Sequence, residues 1–209
     1  MTDREYSLVH TGGRESAGLQ TLLHRRRTIR EFASRPIRLH HLADLMWAAQ
    51  GQLPDGRRVT ASAHRLYLLS VTAVVGNVAE LPAGTYRYDN ARDGLRMISP
   101  DDRRRMVADT TIADLAWLPE AGALLIVAGD LSAANAHFAE QPPEGRRGER
   151  YVRLEAGHTA QNVYLQAAES GLGAVLVGGF HDDRLLAARP PVLPVGHHPL
   201  CIIAVGHPA

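Results

Sequence analysis

Residues 149–170, ERYVRLEAGHTAQNVYLQAAES, form the longest helical pattern of the 209-residue chain and decide how the rest is arranged. One stripe is apolar at helical spacing, and further apolar residues lie off it. The pattern therefore predicts a helix that is central or packed in a subunit interface. Gly157, in its middle, costs about 1 kcal/mol relative to alanine, which favours close approach by another element. The stripe comprises Val152, Ala156, Ala160, Val163 and Ala167, and the residues off it are Tyr151, Leu154, Leu165 and Ala168.

Shorter elements surround this helix in mixed order. The spacing of apolar residues predicts an amphipathic helix over residues 39–50. Alternating residues at 85–88 and 95–98 flank a turn and predict a hairpin. Residues 121–128 are an apolar run that predicts a buried strand, and residues 112–117 are predicted as a short helix. This order predicts an α+β fold rather than regular βαβ repeats.

The composition excludes several classes of enzyme. The 23 cationic side chains, against 22 acidic ones, are all arginine. Without lysine there is no Schiff base and no P-loop lysine, which excludes lysine-linked pyridoxal phosphate enzymes, intact P-loop hydrolases and protein kinases. A net charge of +1 gives no reason to expect a nucleic-acid partner.

The N-terminus and the hydropathy set expectations about domains and compartment. Residues 1–16 are predicted to be a loose leader, and residues 17–209 a single domain. The N-terminus lacks the apolar core of a signal peptide, and no apolar run approaches the ~18 residues of a membrane span. Cys201 is the only cysteine, which excludes an internal disulfide and fits a reducing compartment. We expect a cytoplasmic protein without a membrane partner.

Some motifs that could indicate a site fail on order or spacing. Gly171 and Gly173 follow a helix and open a strand, whereas a dinucleotide-binding glycine loop follows a strand and opens a helix. They are predicted to cap the helix C-terminus. The adjacent histidines at 40–41 and 197–198 lack the spacing of a metal-binding helix, so no metal site is expected. The sequence contains no Gly-x-Ser-x-Gly motif, so a serine hydrolase is not indicated.

Residues 25–30, RRRTIR, hold four arginines and one hydroxyl. One interpretation is a solvated helix end, where cations favour the C-terminal dipole. The other is an anion site, because arginine can bind phosphate bidentately and Thr28 supplies a short donor. On a strand, Thr28 and Arg30 would project to the same face. One could then hold a phosphate and the other a ring of the same ligand.

Several segments, taken in order, resemble the FMN-dependent nitroreductase family and most closely its branch of SagB-type dehydrogenases. They are residues 26–32 (RRTIREF), 45–51 (LMWAAQG), 56–63 (GRRVTASA), 81–89 (LPAGTYRYD), 154–162 (LEAGHTAQN) and 205–208 (VGHP). Each motif is short, but their order and spacing extend from about Leu22 to the C-terminus.

The resemblance implies a nitroreductase-like fold, with a central, mainly antiparallel sheet flanked by helices. It implies a homodimer with two FMN sites at the subunit interface and the helix around Gly157 in the dimer core. A donor such as NAD(P)H would give hydride to FMN, and a small acceptor such as a nitroaromatic or a quinone would then take the electrons. This ping-pong order needs no protein nucleophile.

The same resemblance implies roles for individual residues. Arg26 and Thr28 would hold the phosphate with Arg27 beside them, and Arg30 would support negative charge at the flavin pyrimidine. Ser62 and Ala63 would approach the flavin from the partner subunit. The turn that would lay backbone N–H groups along the flavin edge comprises Val177, Gly178, Gly179 and Phe180.

Two residues leave an alternative open. His64 and Arg65 stand where SagB-type relatives tend to have small residues, and they could crowd the flavin or contact substrate. If they fill the substrate space, the chain could be a non-catalytic flavin-binding or sequestering protein, or a partner subunit of a peptide or metabolite dehydrogenase complex. The absence of lysine counts against the azoline-oxidising version of this fold, which uses a Lys-Tyr pair.

Overall fold

The computed structural model describes residues 5–7 and 18–209. The strands are β1 (Glu5–Ser7), β2 (Ile37–Arg38), β3 (Leu69–Val75), β4 (Val78–Ala79), β5 (Gly84–Asp89), β6 (Gly94–Ser99), β7 (Ala123–Gly129), β8 (Gly173–Val177) and β9 (His198–Gly206). The helices are α1 (Leu19–Arg25), α2 (Leu39–Gln50), α3 (Arg104–Ala108), α4 (Leu131–His137), α5 (Arg147–Glu169) and α6 (Asp182–Leu186), with 3-10 turns at Ala63–Arg65 and Leu118–Glu120. None of the helices in these ranges is both long and apolar enough to cross a membrane.

Seven strands form one sheet in the order β1-β6-β5-β3-β7-β9-β8. Every neighbouring pair in it is antiparallel, and the separate two-stranded β2–β4 pair is parallel. The predicted hairpin is confirmed as β5 and β6, and the predicted buried strand as β7, whose residues are all buried. The α+β class with a mainly antiparallel sheet is thus confirmed.

The long helix α5 packs one side onto the sheet. Its predicted stripe is buried in a core shared with α2 and with inward-facing residues of β3 and β7. The other side is uncovered within the chain: Leu154 is 56% exposed. Within residues 5–7 and 18–209, no heavy atom would come within 4 Å of a Cβ at Gly157, so these residues do not make the close approach expected there.

The end of α5 confirms the predicted glycine cap. Gly171 has a φ of +68°, which favours glycine. The Leu172 N–H donates to the Ala167 carbonyl at 2.8 Å, and the Gly171 N–H to that of Ala168 at 3.4 Å. This pair of bonds closes the helix as a Schellman motif does and turns the chain directly into β8.

The structure differs from the sequence prediction in three places. Residues 112–117 contain no helix, and the Ile112 N–H donates to the Gly179 carbonyl at 3.0 Å, which ties the segment to the turn after β8. Within the predicted leader, Glu5–Ser7 form β1 on the sheet edge, and residues 1–4 and 8–16 lie outside the described residues. Helix α4 was not predicted, although Asp130 caps it by accepting the Ala133 N–H at 2.9 Å.

Candidate functional site

The arginine-rich segment after α1 runs along the free edge of the sheet. Thr28 forms a parallel bridge with Ala174 of β8, and the Ile29 N–H donates to the Ala174 carbonyl at 3.1 Å. Because β8 is the last strand of the sheet, this segment extends its edge. A Cβ at Gly173 would lie 2.7 Å from Ile29, so the glycine allows this close approach. Thr28 and Arg30 are both exposed.

The side chains of this segment offer donors that the described chain does not use. The Arg26 guanidinium carbon lies 5.4 Å from the centre of the Tyr164 ring on α5. Arg27, Thr28 and Arg30 form no side-chain hydrogen bond or ion pair with any described residue. Arg27 lines, with Arg25, Tyr164 and the end of α5, a hollow of about 500 Å³. A cluster of unpaired cations beside a hydroxyl suits an anionic ligand.

The turn after β8 supplies backbone donors at the same edge. Ala174 and Leu176 direct backbone groups to the free edge, where the Leu176 N–H donates to the Tyr164 hydroxyl at 2.8 Å. Alternation along the strand directs those of Gly178 the same way. Gly178 and Gly179 are exposed, and their N–H groups donate to no described residue. By contrast, the Val177 and Phe180 side chains are buried and anchor the turn in the core.

Ser62 and Ala63 lie elsewhere, in a loop that packs against the N-terminal half of α5. The carboxylate of Glu155, which is only 6% exposed, accepts the Ala63 N–H at 2.7 Å. Ser62 accepts the Tyr67 N–H at 2.9 Å and is itself hydrogen-bonded to Glu155. Burial raises the pKa of Glu155, and the hydrogen bonds from Ala63 and Ser62 oppose that rise. Glu155 thus closes the loop of residues 62–67, the clamped loop, against α5.

The clamped loop is strained. His64, Arg65 and Tyr67 have φ values of 50°, 58° and 52°, in the left-handed region. Such a conformation costs a non-glycine residue roughly 1–2 kcal/mol. The loop also contacts α4, where His64 Nδ1 lies 3.0 Å from His137 Nε2. Strain of this kind persists only where surrounding contacts impose it, and it clusters at functional sites.

A buried polar network between α2 and α5 supports the clamped loop. Gln50 donates from Nε2 to the Thr159 hydroxyl at 2.9 Å and accepts an N–H of Arg58 at 3.1 Å. Thr60 donates to the Ala49 carbonyl at 2.6 Å. The network ties α2, α5 and the chain leading into the loop together. Glu155, Gln50 and Thr159 were not among the predicted site residues. A signal was present, since Glu155 and Thr159 stand one turn apart on the otherwise apolar buried face of the helix.

The predicted site residues therefore form two groups within one chain. Tyr164, beside Arg26, and Glu155, beside Ala63, are nine positions apart on α5, or about 13 Å along its axis. Arg26 and Thr28 lie at the β8 edge, Arg30 follows two residues after Thr28, and Gly178 and Gly179 come directly after the strand. We call this group the edge site. Ser62 and Ala63 do not join it.

Comparison with known proteins agrees with this fold. The model of the nitroreductase family matches residues 23–207. A relative from Methanocaldococcus jannaschii with a provisional nitroreductase name is 31% identical over 193 residues, covering 92% of each chain. A solved structure from Ralstonia eutropha, with a provisional name of the same kind, has a TM-score of 0.79 at 27% identity over 99% of this chain and 90% of its own. One from Anabaena variabilis has a TM-score of 0.80 at 26% identity, over 99% of this chain and 42% of its own. The chain belongs to the nitroreductase family.

Proposed function

We propose that this protein is an FMN-dependent oxidoreductase of the nitroreductase type, closest to the SagB-type branch, and that it acts as a homodimer. The observation that carries the proposal is the edge site. Arg26 and Thr28 lie at the open edge of β8, Arg30 follows within two residues, and Gly178 and Gly179 come directly after that strand; described residues leave these donors without acceptors. That donor set suits a ligand with a phosphate at one end and a planar, hydrogen-bonding ring at the other.

The residues of the edge site fit FMN by their chemistry. Arg26 and Thr28, with Arg27 beside them, hold the phosphate as bidentate and short donors. Arg30 lies two residues further along the edge and takes the pyrimidine end of the ring. Gly178 and Gly179 offer backbone N–H groups without a side chain in the way. The buried anchors Val177 and Phe180 hold these glycines in place.

The uncovered face of α5 supports a dimer that completes the site. Leu154 and the open surface at Gly157 leave this helix side without a partner among the described residues. Ser62 and Ala63 pack against Glu155 of the same helix, which lies about 13 Å along its axis from Tyr164 of the edge site. In a homodimer packed through α5, they approach the FMN of the other subunit, which removes the distance that separates the two groups in one chain.

The bound FMN would supply hydride and electron transfer from a donor such as NAD(P)H to a small organic acceptor such as a nitroaromatic or a quinone. The protein contributes charge, orientation and exclusion of water. The cation of Arg30 stabilises negative charge at the pyrimidine end and so favours reduction. The clamped loop covers the ring from the partner side and sets the room left for an acceptor.

The test is the purified protein itself. We expect the visible absorption of an oxidised flavin, a dimeric mass, bleaching by NADH or NADPH without oxygen, and recovery of colour on adding a nitroaromatic. A colourless protein that refuses added FMN overturns the proposal. Bound FMN that no nicotinamide donor bleaches favours the non-catalytic alternative, in which His64 and Arg65 fill the substrate space.

A further inference from the structure

The clamped loop presents a cation that no described carboxylate neutralises. Arg65 is exposed and forms no ion pair with a described residue, and its Nε lies 3.4 Å from the Tyr67 hydroxyl. Hydrogen bonds from Arg57 and, to a smaller extent, the positive charge of Arg65 lower the pKa of the nearby Asp55 carboxyl group. That carboxylate is already engaged, because it accepts the Nε–H of Arg57 at 2.6 Å. The Arg65 guanidinium therefore keeps most of its donors for a ligand.

Aromatic rings adjoin His64, the residue before this cation. His64 and His137 are both exposed and contact each other at 3.0 Å through one nitrogen each. The buried ring of Phe138 supports them, with its centre 4.8 Å from that of His64 and 4.7 Å from that of Tyr151. The rings of His64, His137 and the half-buried Tyr151, the ring wall, are open to solvent and suit a planar aromatic molecule.

The loop holds these groups outward against its own conformational preference. Three of its residues adopt the left-handed region, although none is glycine. The bonds from Ala63 and Ser62 to buried Glu155 fix the start of the loop, and the Tyr67 N–H bond to Ser62 fixes its end. If His64 and Arg65 had no function, glycine at these two positions would relieve the backbone strain. The strain instead keeps the imidazole and the guanidinium beside Ala63.

We propose that the clamped loop is the specificity element of the site, with Arg65 and the His64–His137 pair selecting aromatic acceptors that carry an acidic group. Glu155 is its positioning residue. The proposal rests on the proposed function, because Ser62 and Ala63 bring the loop to the flavin. Arg65 pairs with the carboxylate through two N–H groups, and the ring wall contacts the aromatic body.

The test compares para-nitrobenzoate with its neutral counterpart para-nitrobenzamide. We expect wild-type kcat/KM to favour the acid about tenfold, as for one charge-assisted hydrogen-bonded pair, mainly through a lower KM. Arg65→Gln should bring the ratio close to one, whereas Arg105→Gln, at an exposed arginine 3.8 Å from Asp109, should preserve it. Glu155→Ala should also lower the ratio, and Glu155→Gln should restore it, because the amide oxygen still accepts the Ala63 N–H.

A second measurement does not depend on turnover. Calorimetric titration should show benzoate binding about tenfold more tightly than benzamide, and Arg65→Gln should abolish the difference while the melting temperature stays unchanged. If FMN is bound and both nitro compounds react equally well, the specificity proposal is overturned and the proposed function stands. If no flavin binds, the proposed function fails, and equal binding of benzoate and benzamide then overturns the acid site separately.

Discussion

Two regions along α5 handle polar groups in opposite ways. Near Tyr164, the cations of the edge site are unpaired by described residues and lie on an open strand edge. Near Thr159, Gln50 is buried and bonded on both sides. The first region has donors to spare and should respond to mutation through ligand binding. The second has none to spare and should respond through stability and loop position. Each prediction below tests one side of this contrast.

The largest effect should come from cutting the buried network. Gln50→Leu removes the Nε2 donor to the Thr159 hydroxyl and the Oε1 acceptor of an Arg58 N–H. Thr159 keeps Thr60 at 3.4 Å, and Arg58 keeps the Tyr67 and Leu69 carbonyls, so each lost bond costs about 1 kcal/mol. We expect the free energy of unfolding to fall by about 2 kcal/mol, or a melting temperature lower by roughly 4–8 °C. Urea and thermal unfolding measure this.

The matched control is Gln52→Leu, because Gln52 is exposed and lies just beyond the same helix. It should change stability by less than about 0.5 kcal/mol. Equal losses in the two variants would mean that the network around Gln50 is dispensable. The contrast between the two regions of α5 would then no longer hold.

A smaller effect, and one of a different kind, is expected at the edge site. Arg26→Ala removes a charged donor to the proposed phosphate, worth about 1.5–2 kcal/mol, so the Kd for FMN should rise roughly 10- to 30-fold. Stability of the apoprotein should change little. Arg105→Ala is the control, since that exposed arginine sits 3.8 Å from Asp109, away from the edge. Fluorescence titration with FMN measures both, and equal shifts would remove Arg26 from the phosphate.

How far the sequence predicts these regions depends on how local each one is. The helix at residues 39–50 has the predicted bounds because its apolar spacing is complete within twelve residues. The edge-site cations are likewise neighbours in sequence, so their type and order could be found by inspection. The helix predicted at 112–117 was wrong, and the segment is instead held by distant residues, through the Thr111–Phe180 bridge and the Ile112 N–H bond to the Gly179 carbonyl.

The clamped loop lay beyond prediction for the same reason. Glu155 and Ala63 are 92 positions apart, and Gln50 and Thr159 are 109 apart. No local pattern specifies which distant backbone N–H a buried carboxylate will accept. The positive φ values of His64 and Arg65 could not be predicted from the residue types either, because neither residue is glycine, for which such values are ordinary.

The edge site should also affect the reduction potential of the bound flavin. Arg30→Ala removes a cation from the pyrimidine end, and an exposed charge of this kind contributes at most about 1 kcal/mol. For a two-electron couple this lowers the reduction potential by about 20 mV. FMN affinity should fall less than in Arg26→Ala. Spectroelectrochemistry checks the potential, with Arg38→Ala, whose partner is Glu80 at 3.2 Å, as control. An unchanged potential would place Arg30 away from the ring.

The smallest effect separates two carboxylates on α5 by the sign of a pH dependence. Burial raises the native pKa of Glu155 above its ordinary value of 4.5, so the folded state holds its proton to higher pH than the unfolded chain. Relative to Glu155→Gln, wild-type stability should be greatest at acidic pH and fall as pH rises from 4.5 through the native pKa. Glu149 is the opposite case, because its hydrogen bond from Arg153 lowers its pKa. Relative to Glu149→Gln, wild-type stability should therefore decline as pH falls through that lowered pKa. Urea unfolding across pH measures both slopes, and slopes of equal sign would mean that the Glu155 carboxylate is hydrated and does not clamp the loop from a buried position.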